Sequence, residues 1–102
     1  MSAAAKHTPG PWVVNPRNAI VDAMPSGVAV CKLLWPTKER SEAETMANAT
    51  LIAAAPELLA ELRKARDRLA SAMRIGGSSP EYIAEAVASH DAAIAKATGA
   101  QP

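Results

Sequence analysis

The stretch SEAETMANATLIAAAPELLAEL, residues 41–62, decides the fold of this chain because it combines the densest apolar pattern with strong helix formers. Ser41 and Glu44 have the spacing of a capping box, which predicts a first helix over residues 42–54. Pro56 lacks an N–H group and its ring crowds the preceding turn. We therefore predict that Pro56 kinks or ends the first helix and lies at the start of the next.

Downstream of Pro56, apolar residues continue at helical spacing and predict a long amphipathic helix over residues 57–74. The stripe comprises Leu58, Leu62, Ala65, Leu69 and Ala72. The segment IGGSSP, residues 75–80, then predicts a turn in which Gly76 takes the left-handed conformation and Ser78 caps the last helix together with Glu81. The last helix should pack antiparallel on its predecessor through an apolar stripe of Ile83, Ala86 or Val87, His90, Ile94 and Ala97.

Upstream of residue 41, short apolar runs alternate with turn-forming residues and predict three strands. The runs are residues 12–14, 19–22 and 28–34, and Gly27 is available for a positive φ before the third. The third strand, Val28 to Leu34, is nearly apolar on both faces and so needs cover on two sides. Whether it pairs within the chain or across an interface stays open at this point.

The order of these elements predicts an α+β fold: a short three-stranded antiparallel meander followed by a kinked helix and an antiparallel helical hairpin. A length of 102 residues favours a single domain, with a strand region over 7–36, a helical region over 41–97, and tails at 1–6 and 98–102. The chain is rich in alanine and has no phenylalanine, so its core is small. We expect a homo-oligomer, which would bury further apolar surface.

Charge and cysteine content exclude several classes of protein. The formal net charge of +1 disfavours both a coat for long nucleic acids and an acidic mimic of DNA. Cys31 is the single cysteine and cannot form an intramolecular disulfide, which is typical of a reducing compartment. No apolar run approaches the ~20 residues that span a membrane. We expect a cytoplasmic protein without a membrane partner.

Catalytic and metal-binding motifs are missing from the sequence. His7 and His90 are the two histidines, and neither has cysteine or carboxylate neighbours at a metal-binding spacing. There is no nucleophile elbow, phosphate-binding loop or dinucleotide fingerprint. The sequence therefore predicts a protein that is not an enzyme and has no cofactor and no metal.

The second helix carries a local excess of positive charge, which makes it the candidate ligand-binding element. Guanidinium groups bind phosphate in a bidentate manner, so two or three arginines and an aromatic platform would suffice for a small nucleotide. The platform could be Trp12, Trp35 or Tyr82. The candidate ligand-binding residues are His7, Trp12, Asn48, Arg63, Arg66 and Arg68.

Each candidate also has a purely structural interpretation. The arginines suit a solvated helix face, and Trp12 suits a core. His7 suits a turn in which its ring bonds the backbone, and Asn48 suits a polar link between the first helix and the strands. The sequence leaves both interpretations open.

Two motifs, HTPGPW at residues 7–12 and ANATLIAAAPELL at residues 47–59, resemble a group of small proteins encoded by bacteriophages and prophages. The resemblance covers about the first two thirds of the chain and implies a phage protein acting in an infected bacterial cell.

By analogy of architecture, the chain is similar to phage anti-defence sponges, which are homo-oligomers that sequester a nucleotide immune signal such as a cyclic dinucleotide or a cyclic ADP-ribose isomer. Two alternatives stay open. One is a protein–protein inhibitor of a host defence complex, such as an anti-CRISPR protein, and the other is a non-catalytic phage accessory protein.

Overall fold

The computed structural model describes residues 7–33 and 41–100, and the fold is α+β as the sequence predicts. The elements in chain order are β1 (Trp12–Asn15), β2 (Ile20–Ala23), β3 (Val28–Lys32), α1 (Glu42–Ala53), α2 (Ala55–Ile75), α3 (Pro80–Ala86) and α4 (Ala88–Thr98). The three strands form one antiparallel meander in the order β1-β2-β3. The predicted N-terminal tail and the end of the predicted third strand at Leu34 lie outside the described residues.

The chain divides into two compact units, Met1–Glu57 and Leu58–Pro102, with the boundary inside the first turns of α2. The first unit contains the meander and α1, and the second contains most of α2 with α3 and α4. No helix in the described ranges has both the length and the apolar character needed to cross a membrane.

In the first unit, α1 packs on β1 and β2 through small side chains. Ser41 caps the helix, since its hydroxyl accepts a hydrogen bond of 3.1 Å from the Glu44 N–H, as the capping box predicts. Thr45 and Ala49, one turn apart, are buried together with Val21 and Ala23 of β2. Small residues at these positions let the helix approach the sheet closely, so this core is thin.

The third strand pairs with β2 of the same chain, which answers the question that the sequence left open. Simple alternation along the sequence predicts Val28 and Val30 on one face of this strand and Cys31 on the other, and this prediction is wrong because a bulge interrupts the register. Cys31 lies opposite Val21 and Val28 opposite Ala23, so Val30 is the additional residue and Val28 shares a face with Cys31. As β3 is an edge strand, Val28 remains exposed.

The break between α2 and α3 differs by one residue from the prediction. Gly77, not Gly76, takes the positive φ of 89°, and the Ser78 N–H reaches back to the Met73 carbonyl at 3.0 Å. The N-cap of α3 is correspondingly Ser79, whose hydroxyl accepts from the Tyr82 N–H at 3.2 Å, with Pro80 as the first helical residue.

The predicted last helix is divided into two helices, α3 and α4, which meet at Val87. Val87 has φ −100° and ψ 5°, outside helical geometry, and its side chain is fully buried. It faces the same groove as Ala70 of α2, which is also buried. These two residues form the core of the second unit.

The face of α2 that packs in this unit is rotated relative to the predicted stripe. Ala70 is buried and Met73 half-buried, whereas Leu58 and Leu69 of the predicted stripe are exposed. The sequence pattern identified the larger apolar side chains of α2, but the hairpin uses a neighbouring face of smaller ones.

Candidate functional site

A groove of about 340 Å³ in the second unit combines two arginines with an apolar lining. It lies between the second half of α2, the turn that follows, and α3. Its lining residues are Arg66, Ala70, Arg74, Ser78, Pro80, Ile83, Ala84 and Val87. Helical spacing explains this set, because positions 66, 70 and 74 follow one another at intervals of four along one face of α2.

Arg66 is fixed at the groove by a bidentate ion pair with Asp91 of α4. Its Nε donates to Asp91 Oδ1 at 2.8 Å and one terminal nitrogen donates to Oδ2 at 3.3 Å, while the other terminal nitrogen lies 3.4 Å from Asp67. Hydrogen bonding to Asp91 and its negative charge raise the pKa of the Arg66 guanidinium, with a smaller contribution from Asp67. The pair links α2 to α4 and orients a cation beside the groove.

Arg74 is the second cation of the groove and has no carboxylate partner within the described residues. One terminal nitrogen donates to the Ser71 hydroxyl at 3.2 Å. The hydroxyl-bearing Ser78 lies in the turn at the same groove, and Pro80, Ile83 and Val87 supply apolar surface. The arrangement suits a small ligand that has an anionic group and a flat or apolar portion.

The other two predicted arginines, Arg63 and Arg68, are exposed and do not line this groove. On an ideal helix, Arg66 and Arg68 point about 160° apart, so one ligand cannot contact both in the same chain. Arg68 makes no ion pair with any described residue. Lys64, next to Arg63 in the sequence, pairs with Glu61 at 3.4 Å, and both side chains are exposed.

His7 and Trp12, predicted as site residues, lie together in the first unit. The Trp12 indole donates to the Thr8 carbonyl at 3.1 Å, and the His7 ring meets the Trp12 ring edge to face at 6.2 Å. The His7 Nδ1 lies 3.0 Å from the same carbonyl. Asn48 is in the same unit but is exposed on α1, and among the described residues no hydrogen bond links its side chain to a strand. The six predicted residues are thus divided equally between the two units.

The segment that carries His7 and Trp12 also contacts the helix junction. A Cβ placed on Gly10 would lie 3.0 Å from Cβ and 3.3 Å from Cγ of Pro56. The glycine of the HTPGPW motif therefore packs against the proline of the ANATLIAAAPELL motif. This contact gives both motifs a structural role.

Sequence reasoning missed Arg74 and Ser78 as groove residues. Arg74 contributed to the positive excess of the helix, and its spacing of eight from Arg66 was the signal that the two share a face. Ser78 was expected to act as a cap, and the one-residue shift of the turn places it at the groove instead.

The described residues contain no group of three or more His, Cys, Asp or Glu side chains that could hold a metal ion. His90 is half-buried on α4, and its Nδ1 is buried without a hydrogen-bond partner. It does not line the groove.

Comparison with known proteins places the chain in a phage family. The chain has no significant match among curated proteins or solved structures. The model of the family described as Salmonella phage P22 protein Y8K6 matches residues 1–101, which is nearly the whole chain. The chain therefore belongs to the Salmonella phage P22 protein Y8K6 family.

Proposed function

We propose that this phage-family protein binds and sequesters a nucleotide immune signal, of the cyclic dinucleotide or cyclic ADP-ribose type, in the cytoplasm of an infected bacterial cell. It does so without catalysis and as a homo-oligomer. The observation that carries the proposal is the groove of α2 and α3, where Arg66 and Arg74 lie beside an apolar lining.

The two arginines contribute differently to such a site. Asp91 holds Arg66 in place and compensates part of its charge, so Arg66 orients a phosphate more than it attracts one. Arg74 has no carboxylate partner among the described residues and provides the uncompensated positive charge. Bidentate contact between a guanidinium and a phosphate is a strong, directional interaction. A base or ribose would then cover Pro80 and Ile83.

The test compares Arg74→Ala with Arg63→Ala, which removes the same charge from the same helix away from the groove. A charge-assisted hydrogen bond contributes about 1.5–3 kcal/mol, so Arg74→Ala should weaken binding of a cyclic dinucleotide by about tenfold or more. Arg63→Ala should change it little. Titration calorimetry against a panel of cyclic nucleotides measures both, and native mass spectrometry of protein from signalling cells shows which species is retained.

Equal loss in the two variants would show that only general positive charge matters and would remove the groove as the site. Absence of a bound nucleotide in the wild-type protein, both in calorimetry and after purification from signalling cells, would contradict sequestration itself.

The main alternative, a protein–protein inhibitor of a host defence complex, is favoured by a different observation. Ile75 and Tyr82 flank the turn between α2 and α3 and are 88% and 60% exposed. Exposed apolar and aromatic side chains of this kind are typical of binding hot spots. Loss of anti-defence activity on Tyr82→Ala but not on Arg74→Ala would favour the inhibitor. If neither Tyr82→Ala nor Arg74→Ala abolishes anti-defence activity, an accessory role is favoured.

A further inference from the structure

Helix α2 has a second apolar face that the hairpin leaves uncovered. The residues at successive steps of four and three, Leu58, Leu62, Ala65, Leu69 and Ala72, follow the a and d positions of a heptad repeat. We call this face the heptad seam. Leu58 is 54% and Leu69 37% exposed, both alanines of the seam are exposed, and Leu62 is half-buried.

The hairpin does not compete for this seam. It uses Arg66 and Ala70, which line the groove, and the half-buried Met73 follows Ala70 by one helical turn. One side of this 21-residue helix thus packs within its own unit, and another side carries leucines in contact with solvent. Heptad-spaced leucines on such a side are typical of helix–helix pairing.

Charges at the border of the seam indicate what covers it. Glu61 and Arg68 are one heptad apart, both at g positions, and carry opposite charges. When two copies of one helix pair antiparallel, g positions face g positions, so Glu61 of each copy meets Arg68 of the other. Antiparallel pairing also aligns the helix dipoles favourably.

A parallel pair fits less well. It would place Glu61 next to Arg66 of the second copy, whose guanidinium Asp91 already holds, and Arg68 next to the apolar Met73. Antiparallel pairing places Leu58 against Leu69 and Leu62 against Ala65 of the second copy, so two outer Leu–Leu layers flank two inner Leu–Ala layers. The alanines let the two axes approach closely.

We propose that the protein forms a two-fold symmetric dimer in which α2 pairs antiparallel with α2 of a second copy through the heptad seam, bordered by two Glu61–Arg68 ion pairs. The partner is a second copy of this chain, because the seam is complementary to itself in both shape and charge. The dimer supplies an interface for the proposed homo-oligomer, yet it does not depend on whether the groove binds a nucleotide.

Sedimentation equilibrium of the full chain tests the dimer. Leu69→Glu changes both copies of the seam, and we expect its dimer dissociation constant to rise by about tenfold or more. Leu51→Glu is the matched control, because Leu51 is 65% exposed on α1, outside the seam. A wild-type protein that stays monomeric at all concentrations, or equal weakening by both variants, would overturn the proposal. Far-UV circular dichroism checks that each variant is folded.

A charge exchange tests the orientation and does not depend on a core change. Glu61→Arg and Arg68→Glu should each weaken the dimer, and the double variant should restore it to within a few-fold, since the charges then meet in reversed order. Failure of the double variant to restore dimerisation would overturn the antiparallel arrangement. Leu69 does not line the groove, so titration of Leu69→Glu with a cyclic dinucleotide tests nucleotide binding independently of dimerisation.

Discussion

At the scale of single residues, the contact between Gly10 and Pro56 explains why two distant motifs occur together in this chain. Gly10 precedes the sheet and Pro56 follows α1, yet they lie side by side, and a Cβ on Gly10 would be only 3.0 Å from Cβ of Pro56. The proline ring is rigid, so relief of this contact needs a small shift of the backbone. Glycine is therefore favoured here for clearance and not for an unusual φ.

This requirement gives a prediction at one position. Gly10→Ala should destabilise the first unit by about 1–3 kcal/mol, because overpacking of a rigid contact forces the backbone to shift. Urea unfolding followed by tryptophan fluorescence measures it, since both tryptophans precede α1 in the chain. Gly76→Ala is the control: its Cβ would lie at ordinary contact distance, 3.4 Å from the Ala72 carbonyl, so it should be neutral or slightly stabilising.

At the scale of secondary structure elements, the sequence predicted where helices begin and where the chain turns more accurately than which face of each element is buried. Ser41 caps α1 as its capping box predicts, and Gly27 takes the positive φ of 75° before β3. These signals are local, because the bonded groups are only a few residues apart. The bulge at Val30 and the rotated face of α2 depend on the residues that pack against them. Those residues are distant in the sequence, so a local pattern cannot predict either feature.

The shift of one residue at the start of α3 can be measured directly. Loss of an N-cap hydroxyl costs about 1 kcal/mol, so Ser79→Ala should lower the stability of the second unit by that amount. Ser78→Ala should be close to neutral, because its hydroxyl caps no helix. Thermal unfolding followed by circular dichroism at 222 nm compares the two. The reverse order would mean that α3 begins one residue earlier, as the sequence suggested.

The candidate site was predictable only in part, for the same reason. The helix that carries it was identifiable, since its arginine content is a property of composition. The choice among arginines was not: Arg66 is bound by a carboxylate 25 residues later in the chain, and Arg74 owes its position to the turn at Gly77. The groove exists only because α2 and α3 are brought together by that turn.

At the scale of the whole molecule, each unit has its own small core, and α2 begins in one and continues through the other. Val21 in the first unit and Val87 in the second are both fully buried. The sequence predicts one domain from length alone, so the question is whether the two cores unfold together. The two valines offer matched probes, since the same change can be made in either core.

We predict that the two cores respond separately. Val21→Ala and Val87→Ala each remove two buried methyl groups and should each cost about 2 kcal/mol. In native-state hydrogen exchange, Val87→Ala should lower the protection of α3 and α4 and leave β1 and β2 unchanged, while Val21→Ala should do the converse. If either change lowers protection in all elements alike, the chain unfolds as one cooperative domain. The long helix α2 would then couple the cores, and a ligand in the groove would stabilise the strands as well.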